Sequence, residues 1–134
     1  TVFERAVRSP LIIRAPGRIA RPGRQSDALV ETLDVFPTLL ELCHPSFQKT
    51  QYSLDGKSLG PILAGEADSV RTAAVSYWGP AVSVRTRTHR LIARKNPKGL
   101  TKVELYQLSD GPDPVANVAE SQPEVTRDLL KRLR

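Results

Sequence analysis

Ala73-Ala74-Val75-Ser76-Tyr77-Trp78-Gly79-Pro80-Ala81-Val82-Ser83-Val84-Arg85-Thr86-Arg87-Thr88-His89-Arg90-Leu91-Ile92-Ala93 is the stretch on which the fold turns. Residues 73–78, 81–85 and 90–93 are short runs of β-branched, aromatic and small apolar residues, the composition of half-buried strands. Gly79-Pro80 separates the first two and Arg87-Thr88-His89 the next two. A fourth run, Val103-Glu104-Leu105-Tyr106-Gln107-Leu108, follows the turn signal Asn96-Pro97-Lys98-Gly99. Connections this short cannot hold a crossover helix, so the four runs predict an antiparallel sheet.

Downstream, Ser121-Gln122-Pro123-Glu124 has the spacing of a capping box, and Val125, Leu129 and Leu133 form an apolar stripe behind it. This predicts a C-terminal helix that closes the sheet. Upstream the period changes. Pro10-Leu11-Ile12-Ile13-Arg14 reads as a buried strand of a parallel sheet, and Ala15-Pro16-Gly17-Arg18 is echoed as a turn by Arg21-Pro22-Gly23-Arg24. A helical pattern is expected from Asp27 through Leu33. Asp34 is then expected to N-cap a second helix, with Pro37 tolerated in its first turn. Phe36, Leu39, Leu40 and Cys43 would form that helix's apolar face, and Ser58 to Ala64 a further short one. The fold class is α/β, α+β within this chain: strand and helices over 1–70, then the small antiparallel sheet with its helix over 71–134.

The chain has 134 residues, 40% of them apolar and 25% charged, as in a globular domain with one core. No run approaches the roughly 18 apolar residues of a membrane span. A single cysteine excludes an internal disulfide, and the N-terminus lacks a signal-peptide pattern. There is no methionine, so a piece of a longer polypeptide is expected. The net charge of +6 is blocked: residues 1–25 carry six arginines against one glutamate, and residues 71–102 carry eight basic residues and no acid. Residues 26–70 and 103–134 are net acidic. Two basic blocks suit an anion-facing surface or pairing between halves.

No local motif announces catalysis. Cys43-His44 could be an activated thiol, but Cys43 falls in register with Phe36, Leu39 and Leu40, and a buried apolar role is the simpler account. The two histidines lie in different halves without zinc-site spacing, and Asp110-Gly111-Pro112-Asp113 has too few acids for a calcium loop and reads as a turn. Phosphate-loop and serine-hydrolase patterns are absent. Tyr77 and Trp78 inside the basic block would suit nucleic acid by stacking and phosphate contact, but Arg85, Arg87 and Arg94 are spread over separate strands and a solvated sheet face accounts for them better.

Taken in order, the residues resemble the C-terminal part of a sulfatase, of the iduronate-2-sulfatase and choline-sulfatase-like branch. The segment Thr1–Ile13 is similar to the approach to a late strand of the catalytic domain. Asp34-Val35-Phe36-Pro37-Thr38-Leu39-Leu40-Glu41-Leu42 resembles the family helix, and Asp55-Gly56-Lys57-Ser58-Leu59 the element that follows it. Val82-Ser83-Val84-Arg85-Thr86 and His89-Arg90-Leu91-Ile92 resemble its strand pair. Glu104-Leu105-Tyr106-Gln107-Leu108, Asp113-Pro114 and Asn117-Val118-Ala119 are similar to its closing signature.

The resemblance implies an alkaline-phosphatase-like α/β enzyme that hydrolyses sulfate esters, plausibly of sulfated sugars. Its nucleophile would be a formylglycine and its metal a calcium ion, both held by residues upstream of Thr1. Cys43-His44-Pro45-Ser46-Phe47 mimics the formylglycine motif but has Phe for the required Arg and sits in the wrong place. No catalytic or metal residue is expected here, and the chain alone is expected to be silent. Its partners would be an upstream catalytic half of the same polypeptide and a sulfated sugar, with neither nucleic acid nor membrane. Tyr77, Trp78 and Arg85 are the candidate substrate contacts, because an aromatic face and a guanidinium suit a sulfated ring. A core position for Trp78 under the sheet is the competing reading. The alternative class is a non-catalytic polyanion-binding module that uses the basic residues of 1–25 and 71–102.

Overall fold

The computed structural model describes residues 2–43, 52–108 and 115–133. The chain divides into two compact units, Leu11–Thr72 and a discontinuous one made of Thr1–Pro10 with Ala73–Arg134. The first ten residues belong with the sheet.

In the discontinuous unit, β1 (Ala74–Trp78), β2 (Ala81–Arg85), β3 (His89–Asn96) and β4 (Gly99–Gln107) form an antiparallel meander in sequence order. All four predicted strands are present, β3 and β4 longer than their apolar runs. Gly79 and Gly99 turn the chain at positive φ, 54° and 120°. Pairing of Val82 with Ala93, Val84 with Leu91 and Leu91 with Leu105 puts these side chains on one face. There they bury against Leu129 of the C-terminal helix α4 (Pro123–Lys131), with Val75, Val125, Leu130 and Leu133 around them. Each fully buried Leu or Val of this cluster contributes about 2 kcal/mol.

Between Ile92 and Arg94 the register slips, so that Lys102 and Val103 of β4 oppose Ala93 alone. Lys102 takes φ 49°, the one positive value at a non-glycine among the described residues. It is the extra residue of a β-bulge, a position that favours glycine.

The opposite face of the sheet is covered by the N-terminus. Val2 is buried, and the short helix α1 (Glu4–Val7) follows it. The Phe3 ring lies 5.9 Å from that of Tyr106. The predicted closing helix forms, but its capping box does not. Residues preceding proline are driven out of helical geometry, so Gln122 (φ −127°, ψ 62°) becomes the N-cap and Pro123 the first helical residue. Ser121 then lies one position too early to reach the helix amides, and its hydroxyl donates to the Val118 carbonyl at 3.1 Å.

In the Leu11–Thr72 unit, a 3-10 turn (Thr32–Asp34) leads into α2 (Val35–Cys43), and α3 (Gly60–Leu63) follows later. The two Pro-Gly turns are as expected: the Arg18 amide donates to the Ala15 carbonyl and the Arg24 amide to that of Arg21, with Gly17 and Gly23 at φ 76° and 80°.

Three expectations fail here. Pro10–Arg14 is irregular, with Ile12 89% exposed, because no strand of this unit pairs with it. The stretch from Asp27 to Glu31 is not helical; Glu31 is extended (φ −121°, ψ 155°) and caps the 3-10 turn instead. Finally, α2 buries a polar edge. Asp34 and Thr38 are inside, whereas Phe36, Leu39 and Cys43 are exposed. Cys43 is therefore no core residue, and Asp34 aims its carboxylate backward and sideways rather than at the α2 amides. His44 to Phe47 and Asp110 to Asp113 lie outside the described residues.

Candidate functional site

Tyr77, Trp78 and Arg85 do not converge. Neighbours along a strand point to opposite faces, and Tyr77, paired with Val82, lies on the α4 side. Trp78 lies on the other face, together with Ser76, Ser83 and Arg85. Both aromatics are open to solvent, at 70% and 67% exposure, so Trp78 is not packed beneath the sheet.

Arg85 is engaged. Its Nε donates to both Glu4 oxygens, at 3.1 and 3.2 Å, and its Nη1 to the Thr86 carbonyl at 2.9 Å. Arg90, buried beside it, directs Nε and Nη2 to Glu4 Oε2 at 3.0 and 2.6 Å. Its Nη1 donates to the Ser83 hydroxyl at 2.9 Å and to the Val2 carbonyl at 3.1 Å. Burial pushes the Glu4 carboxyl up, but the two guanidiniums pull harder and hold it below the ordinary carboxylate value. A carboxylate shared by two forked donors fixes geometry. The cluster is a rivet between the N-terminus and the sheet, and the Ser83-Val84-Arg85 and His89-Arg90-Leu91 motifs supply it.

A second rivet holds the other unit together. The fully buried Asp34 carboxylate accepts the Glu31 amide at 2.8 Å, the Lys57 amide at 2.7 Å and Arg71 Nε at 3.0 Å, and Arg71 Nη2 also donates to it. Arg71 Nη1 reaches Glu31 at 2.8 Å. Burial raises the Asp34 carboxyl, yet the Lys57 amide, the Arg71 guanidinium and the Glu31 amide together lower it below its ordinary value. The Thr38 hydroxyl bonds the Asp34 carbonyl and accepts the Leu59 amide at 2.9 Å. A Cβ at Gly56 would collide with the Leu33 carbonyl. The Asp34–Thr38 and Gly56–Leu59 motifs are thus two halves of one joint. Asn117 does similar work in the sheet unit, where its side-chain oxygen accepts the amides of Leu105 and Ala119 at 2.9 and 3.0 Å.

What remains open is a cleft of about 450 Å³ on the α4 side of the sheet. Tyr77 forms one wall, Leu130 and Leu133 another, and Lys95 and Lys98 stand at the β3–β4 turn. Among the described residues no acidic side chain lines it. In the sequence the two lysines stand only as members of the basic block over 71–102, either side of Asn96-Pro97. Among the described residues no three His, Cys, Asp or Glu side chains come together as a metal site.

Comparison with known proteins places this architecture. The C-terminal region of N-sulphoglucosamine sulphohydrolase, as a family, matches residues 1–134. The chain belongs to that family of sulfatase C-terminal domains. Arylsulfatase K of Xenopus laevis is 26% identical over 148 residues, a match that covers 100% of this chain and 26% of the relative. N-acetylglucosamine-6-sulfatase of Homo sapiens is 37% identical over 67 residues, 50% of this chain and 11% of the relative.

Two solved structures share the fold. One, from work on the metabolism of multiple glycosaminoglycans by Bacteroides thetaiotaomicron, superposes with a TM-score of 0.62 at 24% identity, over 85% of this chain and 27% of its own. The other, a complex with its substrate D-glucosamine-2-N,6-O-disulfate, gives 0.57 at 23% identity, over 75% of this chain and 22% of its own. The chain therefore spans about a quarter of the length of arylsulfatase K and of these structures. The Asp34–Thr38, Gly56–Leu59, Ser83–Arg85, His89–Leu91 and Asn117 strings lie in the joints described above, where they bind segments of each unit to one another.

Proposed function

We propose that this chain is the C-terminal part of a sulfatase acting on sulfated sugars, and that it scaffolds and borders the active site without supplying the chemical step. The observation that carries the reading is the family match over residues 1–134. Glucosamine sulfates are the favoured substrates, because the human relative and the substrate-bound structure are both named for them. An iduronate-2-sulfatase-like or choline-sulfatase-like preference has only the strand and helix motifs in its favour.

Within the chain, the chemistry points to support. Glu4, Arg85, Arg90, Asp34 and Arg71 spend their charges on one another. Tyr77 and Trp78 keep exposed aromatic faces, so a role at the substrate's edge falls to them before Arg85. A sulfatase of this kind would use calcium and a formylglycine. The described residues do not fit either role: no three His, Cys, Asp or Glu side chains come together among them as a metal site, and Cys43 stands exposed at the end of α2. Both are assigned to other parts of the polypeptide.

The test is sulfate release from N-acetylglucosamine-6-sulfate. The full-length polypeptide should release sulfate and lose the activity on chelation, while the 134-residue chain should release none. Turnover by the isolated chain would overturn the reading, as would failure of the full-length polypeptide on every glucosamine sulfate tried.

A further inference from the structure

We propose that the cleft between Tyr77, the β3–β4 turn and α4 is a binding site for a sulfated sugar unit. The choice of sulfated sugar rests on the function proposed above; the existence of an anion-selective cleft rests on the geometry alone.

At about 450 Å³ the cleft falls within the range of small-ligand sites. Its two kinds of wall suit two parts of one ligand. Tyr77, 70% exposed on one side, and Leu130 and Leu133 on the other, offer apolar surface to the C–H face of a pyranose ring. Lys95 and Lys98 bring two cationic side chains to the lining. Among the described residues neither is tied to a carboxylate, unlike Arg71, Arg85 and Arg90.

The lysines are also placed by the backbone. The Lys95 amide donates to the Pro80 carbonyl at 2.6 Å, extending β3 past the end of β2. The Lys98 amide donates to the Asn96 side chain at 2.9 Å, and Gly99 completes the turn at φ 120°. A lining with two lysines and, among the described residues, no acid repels cations and attracts sulfate, and the single aromatic wall suits one ring rather than a run of stacked bases.

The experiment is calorimetric titration of the full-length polypeptide with a heparin tetrasaccharide, and with the same tetrasaccharide chemically desulfated. Wild type should bind the sulfated form at least tenfold more tightly. The double variant K95Q/K98Q should lose about tenfold of that affinity, and Y77A about fivefold. The double variant R18Q/R21Q removes the same net charge from exposed turns elsewhere and should bind within twofold of wild type.

Equal loss in R18Q/R21Q would overturn the proposal, since affinity would then follow net charge. So would binding by K95Q/K98Q within twofold of wild type, or equal affinity for an oligonucleotide of the same charge. Sulfate release by wild type is measured alongside. Cleft-dependent binding without sulfate release would uphold the site and refute the sulfatase reading; sulfate release with cleft-independent binding would do the reverse.

Discussion

Replacing Arg71 by methionine leaves the Asp34 carboxylate, fully buried, without a countercharge. Two amides still point at it, from Glu31 and Lys57, so it is not bare. Removing one partner of a buried ion pair costs about 3–5 kcal/mol. There is also a ceiling. Asp34 can escape by taking a proton, which at pH 7 costs about 4 kcal/mol for a carboxyl whose ordinary value is 3.8. The expected destabilisation of the Leu11–Thr72 unit at pH 7 is therefore about 3 kcal/mol, and it carries a signature.

In wild type the Asp34 carboxyl lies below its ordinary value, so stability contributed by this group is constant between pH 7 and 5. In the variant the folded state favours the proton, so the variant gains stability as pH falls over that range, by up to about 1.4 kcal/mol per unit. The assay is amide hydrogen exchange at Lys57, whose N–H ends on Asp34. Exchange should be about a hundredfold faster in the variant at pH 7, after correction for the intrinsic rate, with a smaller excess at pH 5. An excess below about fivefold at pH 7, or one equal at both pH values, would refute the account of Arg71 as the countercharge of a buried carboxylate.

Glu4→Gln should lower the stability of the sheet unit by about 3 kcal/mol in urea unfolding, because it removes the carboxylate charge that faces the nearly buried Arg90 guanidinium; Arg85→Gln, at a 23% exposed side chain, should cost about 1 kcal/mol. Glu4 and Asp34 both titrate below their ordinary values of 4.5 and 3.8, so their stabilisation is complete above those values and lost as pH falls through the lower folded ones. The thermal midpoint should be level from pH 7 to 5 and fall steeply below about pH 4, as circular dichroism melts would show. Lys102→Gly relieves a left-handed backbone at the β-bulge and should raise stability by about 1 kcal/mol in the same urea assay.

The meander was legible because each of its cues is local. Alternation within β2 and the Gly79-Pro80 break depend on residues within ten positions of each other, and so did the Pro-Gly turns. The α2 face was misjudged for the opposite reason. Its apolar spacing is genuine, but what lies against the helix is a hydrogen-bonded joint to Lys57 and Leu59, 23 and 21 positions from their partners. Periodicity records that a face is apolar and not which neighbour covers it. The Asp34 cap failed likewise: Arg71, 37 positions away, claims the carboxylate. Among the candidate site residues, Tyr77 is exposed, whereas Arg85 is engaged by Glu4, a contact that spans 81 positions and left no mark in the local pattern. Lys95 and Lys98 looked like part of a diffuse basic block because only the fold sets them opposite Leu130 and Leu133.

The Glu4 rivet bears on the order in which the molecule is made. Glu4 emerges from the ribosome 86 residues ahead of Arg90, a delay of about 4–17 s at common rates of synthesis. Throughout that interval Val2 and Glu4 have no sheet to cover, while Asp34 meets Arg71 after only 37 further residues. The inserted unit can therefore be finished first, while residues 2–10 wait for the sheet that locks them down. A chaperone or protease that samples the nascent chain would meet residues 2–10 unprotected until the third strand has been delivered.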